Sequence, residues 1–329
     1  MLTRRSLLRS LPGITAASWV TLKSGGAAAL PFINFPASAE QAGASGPHMN
    51  FPSGARERIA VASWPFRAYI DSPTNSDRDP RVPGMDLKDF ASNVVTKFNV
   101  NNIEPYNLHF RSLSDDYLDA FRAALASAKV QAVNIAVDIE PSFYDADRVF
   151  RRKAMDYAKQ WVDIAARIGS PGIRTSNSPS GKSSAPNLAL VVESLKEVAS
   201  YGSSKNVVVN LENDNLISED AFFVAKVIES VNSPYLHALP DFGNSMMSGN
   251  ANFNYRAVEA MFQHAFGICH VKDGETNAQG KRIDIDLQRT FNILKASGYR
   301  GYCSIEYDGA GDPYAATLDL IERSVRYLG

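Results

Sequence analysis

The chain has 329 residues, 45% of them apolar, with 34 basic against 35 acidic side chains and a formal net charge of −1. That apolar content supports a sizeable core and excludes wholesale disorder, and the length fits one large domain or two small ones. The charge balance gives no reason to expect nucleic acid or an anionic membrane surface as partner, so any substrate has to be argued from a site.

The first residues read as an export segment. Thr3-Arg4-Arg5-Ser6-Leu7-Leu8-Arg9 resembles a twin-arginine signal. A weakly apolar stretch of 13 residues, Ser10 to Leu22, follows and ends at Lys23. It is too short for a spanning helix, which needs about 20 residues. No acidic residue precedes Glu40, and Ala37-Ser38-Ala39 offers a small-residue cleavage site. We therefore expect a signal peptide over 1–39, a Gly-, Ser- and Pro-rich linker over 40–57, and a folded domain over 58–329. The mature protein would be periplasmic, without a membrane anchor after cleavage.

From Ile59 onward two textures alternate. Short apolar runs fall near 58–63, 101–105, 132–138, 172–176, 206–212, 235–241, 267–272 and 301–307. Between them lie stretches with apolar spacing near three and four: 86–98, 114–129, 145–168, 188–201, 218–231, 255–264, 286–296 and 313–327. Ser218 reads as an N-cap, and Gly169, Gly202 and Gly298 as helix stops. Eight βα units in about 270 residues predict a single-domain α/β fold, the (β/α)8 TIM barrel. A doubly wound sheet would carry a glycine-rich loop after its first strand, where this chain reads ASWPFRAYI.

Four of the apolar runs end on a ligand-type side chain: NVVVNLE at Glu212, YLHALPD at Asp241, FGICH at His270 and GYCSIE at Glu306. Strand alternation puts Glu212 with Val208 and Asn210, Asp241 with His237 and Leu239, His270 with Ile268 and Lys272, and Glu306 with Tyr302 and Ser304. All four then point into the mouth of the barrel, where crowded carboxylates would repel unless a cation compensates them. Three oxygen ligands and one imidazole suit one divalent ion, Mn²⁺ first, with Mg²⁺, Co²⁺ or Zn²⁺ as alternatives. By the same alternation Cys269 and Cys303 face away from the ligand side. We expect them at different heights on their strands, hence as two buried free thiols.

The stretch ICHVKDG, followed by IDIDLQRTFNILKASGYRGYCSIEYDG, resembles the C-terminal third of the xylose isomerase-like barrels, the sugar phosphate isomerase/epimerase superfamily. In these the seventh strand supplies a histidine in an H-x-K-D context, and a G-Y-x-G turn leads into a last strand that ends in a metal-binding glutamate. NLENDN resembles the family's strand-five motif and LPDFGN its strand-six motif. The resemblance implies Glu212, Asp241, His270 and Glu306 as metal ligands, with Glu212 and Glu306 doubling as acid/base groups. Asn244 stands where the ketose epimerases commonly place a substrate-binding histidine, and Thr276 where they have an arginine. Both departures argue against a free-ketose 3-epimerase. Apurinic-site nucleases share the barrel but bind three zinc ions through many histidines, whereas this chain has five histidines.

Further candidates for binding substrate are Lys272, two residues after His270; Glu104 and His109 after the second strand; Trp64 and Phe66 after the first; Arg174 on the fourth; and Asn244. Aromatic side chains at a barrel mouth stack on sugar rings as often as they close the core. The expected activity is carbohydrate isomerisation or epimerisation by proton transfer through a metal-bound enediolate. Elimination of the aglycone from 3-keto-glycosides and a non-catalytic sugar-binding barrel are the alternatives. The expected partner is a small-molecule carbohydrate; a homo-oligomer is left open.

Overall fold

The computed structural model describes residues 46–138, 142–143, 145–175, 187–277 and 280–329. The expected signal peptide and the start of the linker lie outside these residues. The strands are β1 (Ile59–Ala62), β2 (Asn102–Glu104), β3 (Gln131–Ala132), β4 (Ile135–Val137), β5 (Gly172–Thr175), β6 (Val208–Glu212), β7 (Leu236–Leu239), β8 (Ile268–Val271), β9 (Gly274–Thr276), β10 (Arg282–Asp284) and β11 (Tyr302–Ile305). Parallel ladders run in the orders β3-β2-β1-β11-β8 and β4-β5-β6-β7. Bridges Tyr106↔Ala136 and Asp241↔His270 join the two sets. With β3 and β4 as halves of one interrupted strand, the eight strand positions close into the (β/α)8 barrel. The hairpin of β9 and β10 is antiparallel and follows β8 as an addition that the sequence pattern did not announce.

Outside the strands lie α1 (Leu87–Phe98), α2 (Asp115–Ala128), α3 (Arg148–Ile168), α4 (Leu188–Lys205), α5 (Ala221–Val231), α6 (Ala251–Phe262), α7 (Leu287–Ala296) and α8 (Pro313–Leu328). Seven of these begin on an Asp or Asn whose side chain accepts a first-turn amide: Asp86, Asp147, Asn187, Asp220, Asn250, Asp286 and Asp312. The cap of α5 is therefore Asp220; Ser218 is buried and bonded to Asn215 instead. Gly169 ends α3 in the left-handed conformation as expected. Gly202 does not end α4, which continues to a left-handed Asn206. A glycine is needed inside that helix because a Cβ there would collide with the carbonyl of Val207. Among the described residues no helix is long and apolar enough to cross a membrane.

Strand alternation divides the core as the pattern demands. Val209, Leu211, Ala238, Cys269, Val271, Cys303 and Ile305 face the helices, while Ala60, Val133, Leu239, Ile268 and Tyr302 fill the barrel interior. The cysteines are free and buried, but not at different heights: Cys269 and Cys303 are register partners across β8 and β11, with their Sγ atoms 3.7 Å apart. The end of the expected linker does not hang free. Phe51 packs edge-on against Phe266 and Tyr302, and the His48 amide donates to Asn206.

Phe66 is fully buried, yet it lies among Phe90, Phe98 and Tyr314 rather than in the barrel mouth. A 3₁₀ turn over Trp64–Phe66, with Pro65 at its start, swings this ring outward under α1 and α8. It belongs to packing, which corrects its assignment to substrate. Phe66→Ala should cost about 3–5 kcal/mol in urea unfolding and leave divalent-ion uptake at the wild-type level. A variant as stable as the wild type would contradict this placement.

Candidate metal centre

Each of the four ligand-type residues stands where its strand stops. Glu212 is the last residue of β6, and His270 lies in β8. Asp241 follows β7 by two residues, and Glu306 follows β11 directly. The backbone continues the ladder through these ends: His270 N donates to Pro240 O at 2.9 Å, Phe242 N to His270 O at 3.1 Å, and Glu306 N to Val271 O at 3.0 Å. The side chains therefore arrive at one height. One ligand atom from each of Glu212, Asp241, His270 and Glu306 lies within 4.8 Å of the others, and all four residues are buried. From His270 Nδ1 the distances are 3.1 Å to Glu212, 3.4 Å to Glu306 and 3.9 Å to Asp241.

Neighbouring groups fix these ligands. Asp241 Oδ1 accepts the amides of Gly243 (2.8 Å) and Asn244 (2.6 Å), which leaves Oδ2 turned to the cluster. Asn213 clasps the Asp241 backbone, accepting its N–H at 2.8 Å and donating to its carbonyl at 3.2 Å. Asn244 donates to Glu212 Oε1 at 2.9 Å and accepts from Lys272 Nζ at 2.8 Å. Lys272 is fully buried, 2.9 Å from Glu306 Oε2 and 3.2 Å from Asp241 Oδ2. It is not paired with Asp273, whose carboxylate holds Arg282 and Arg323. Arg174 places Nε 3.1 Å from Glu212 Oε2 and donates through Nη1 to Asp138 at 2.6 Å.

The electrostatics follow from crowding in a dry place. Burial opposes ionisation of Glu212, but His270 and Arg174 outweigh it and hold the carboxyl below the usual range. Burial, with the charges of Glu212 and Glu306 adding to it, pushes Asp241 up to about 6 against the pull of Lys272. Burial also disfavours an imidazolium at His270, yet Glu104, Glu306 and Glu212 raise its pKa well above the ordinary histidine value. Asp241 Oδ2 and Glu306 Oε2 are buried without an aligned hydrogen bond, although Lys272 lies close to both. Two under-satisfied carboxylate oxygens facing an imidazole nitrogen fit a divalent cation.

The remaining candidates separate. Glu104 is not on the rim: it is 1% exposed and sits beneath His270. It faces inward because Ile103 before it faces the helices. Trp64 stays near the mouth, its ring 5.3 Å from that of Tyr106 and under the Arg67 guanidinium. His109 is buried, with Nδ1 2.8 Å from Ser63 Oγ and Nε2 lacking a hydrogen-bond partner. Sequence reasoning missed Asn213, Asn134 and Ser304 as supports. Only their inward parity, or a position next to a ligand, could have marked them.

Comparison with known proteins bears on the fold. The sequence matches the xylose isomerase-like TIM barrel family over residues 95–328. No curated protein matches it. The 3-keto-D-glucoside 4-epimerase YcjR from E. coli is similar in structure, with 14% identity, a TM-score of 0.61, and coverage of 81% of this chain and 98% of its own. A xylose isomerase-like TIM barrel protein from Mycobacterium smegmatis, in complex with magnesium, shows 17% identity, a TM-score of 0.60 and coverage of 82% and 96%. D-psicose 3-epimerase from Clostridium cellulolyticum H10, solved with D-tagatose, shows 14% identity, a TM-score of 0.58 and coverage of 82% and 96%.

Burial, assisted by Arg67, lowers the His109 pKa to about 3. The unfolded chain takes up a proton near pH 6.5 that the folded chain refuses, so this residue's contribution to stability is present above 6.5 and is lost as the pH falls. Between pH 7.5 and 5 the wild type should lose about 2 kcal/mol more than His109→Gln. Urea unfolding at the two pH values measures the difference; equal losses would refute a neutral buried imidazole.

Proposed function

The chain belongs to the xylose isomerase-like TIM barrel family, and from that premise we propose that it is a carbohydrate isomerase or epimerase working with one divalent metal ion, Mn²⁺ first among the candidates. The observation that carries this reading is the convergence of Glu212, Asp241, His270 and Glu306 within 4.8 Å. The similarity to sugar epimerases among solved structures supports a carbohydrate substrate. Held by Asp241 Oδ2, His270 Nδ1 and an oxygen of each glutamate, the ion would supply Lewis acidity to a carbonyl and its neighbouring hydroxyl.

The protein's own groups then handle protons. Glu212 and Glu306 enter from β6 and β11, with β7 and β8 between them. One takes the proton from the carbon beside the carbonyl and the other gives one back. Return to the opposite face inverts that carbon; return to the neighbouring carbon moves the carbonyl. Arg174, 3.1 Å from Glu212, favours its ionised, proton-accepting form. Asn244 and Lys272 hold substrate hydroxyls at the cluster's edge.

A second reading rests on Lys272. Its ammonium, 2.9 Å from Glu306, can donate to a departing oxygen and so turn the same deprotonation into elimination. That outcome would release the aglycone from a 3-keto-glycoside. Export through the twin-arginine route remains part of this proposal, supported by Thr3–Arg9 and the acid-free stretch before Glu40.

Screening 3-keto-glycosides and common ketoses with Mn²⁺ should reveal turnover, and product analysis separates isomerisation, epimerisation and elimination. Chelation should abolish the activity and Mn²⁺ restore it. Glu212→Gln and Glu306→Gln should each lower kcat by roughly 10²- to 10⁴-fold. A Glu306→Gln protein that folds, binds metal and turns over at the wild-type rate would sink the mechanism. Absence of any turnover across the screen, with metal bound, favours a sugar-binding barrel.

A further inference from the structure

Glu104 is an acid with no place in the proton transfers above, yet it is nearly inaccessible to solvent. Such a carboxylate is costly unless several donors compensate it. Three do. Oε2 accepts from His270 Nε2 at 2.9 Å and from Ser304 Oγ at 2.6 Å, and Oε1 accepts from Asn134 Nδ2 at 2.8 Å. Asn134 lies in the break between β3 and β4, and its Oδ1 accepts from Asn210 at 3.2 Å. The polar layer thus joins β2, the broken strand, β6, β11 and β8 beneath the cluster.

His270 faces two different surroundings. Nδ1 meets Glu212, Glu306 and Asp241, while Nε2 meets Glu104 alone among the described carboxylates. An ionised carboxylate only accepts, so with a cation among Glu212, Glu306 and Asp241 it is Glu104 that takes the ring proton, on Nε2, and Nδ1 turns its lone pair to the cluster.

We infer that Glu104 is the positioning residue of the metal centre, selecting the His270 tautomer and orienting the ring so that Nδ1 can bind the ion. The inference rests on the reading that the cluster holds a divalent cation. A carboxylate behind a ligating histidine raises its basicity, and removing such a partner typically weakens metal binding roughly 10- to 100-fold. Ser304 and Asn134 hold the carboxylate in place.

The test is calorimetric titration of the full chain with Mn²⁺, together with ¹⁵N-histidine spectra of the Mg²⁺-loaded protein. Glu104→Gln keeps the side chain's size and removes its charge. It should lower Mn²⁺ affinity roughly 10- to 100-fold, and the protonated Nε2 signal of His270, assigned with His270→Gln, should shift or disappear. Ser304→Ala, which keeps the charge and removes one support, should cause a smaller loss. Unchanged affinity and an unchanged histidine signal in Glu104→Gln would overturn the role of Glu104 alone. Failure of the wild type to take up Mn²⁺ or Mg²⁺ would overturn the metal reading itself. If Glu104→Gln does not fold, Ser304→Ala decides: wild-type affinity refutes the inference, and a several-fold loss sustains it.

Discussion

The mouth of this barrel concentrates negative charge where water is scarce. Glu104, Glu212, Asp241 and Glu306 are all at most 6% exposed, and two buried cations, Arg174 and Lys272, stand among them. Four potential negative charges face two cations, one of which, Arg174, is shared with Asp138, so a negative excess remains for a cation to offset. Proton uptake would relieve the same crowding, because the surrounding carboxylates favour the protonated forms of Asp241 and His270. The architecture around the site answers this one requirement. Amides cap Asp241, Asn244 bridges Glu212 and Lys272, and the polar layer below secures His270.

Closure of the sheet makes the convergence geometrically inexpensive. In parallel strands a one-residue shift sends a side chain to the opposite face. Ser304 pairs with His270, Asp241 bridges His270, and Asn210 pairs with His237. Each ligand keeps its inward parity while the strand carrying it ends a little sooner or later. The same parity puts aliphatic side chains against the helices, so one periodicity stabilises the shell and loads the centre.

Much of this was legible in the sequence. Eight apolar runs marked eight strand positions, and Glu212, Asp241, His270 and Glu306 were visible because each stood at the end of a run with a consistent facing. What the sequence could not convey was depth and stagger. Glu104 also follows an apolar residue at a strand end, but the folded chain buries it against His270, Ser304 and Asn134 instead of on the rim. Phe66 sits next to a proline whose turn rotates its ring through the barrel wall, and nothing local marks that rotation. Cys269 and Cys303 seemed offset because their distances from the nearest ligand differ by two residues, whereas the ladder pairs them directly. Lys272 was legible as a substrate contact, but not how closely Asp241, Glu306 and Asn244 enclose it.

The stretch before β1 closes one end of the barrel. Phe51 caps the floor of the barrel through Phe266 and Tyr302, and Met49 lies against Gly267. Residues 48–51 thus belong to the folded domain even though they precede its first strand. Losing Phe51 would open to water the apolar base that Ala60, Val133, Leu239, Ile268 and Tyr302 form inside the strands.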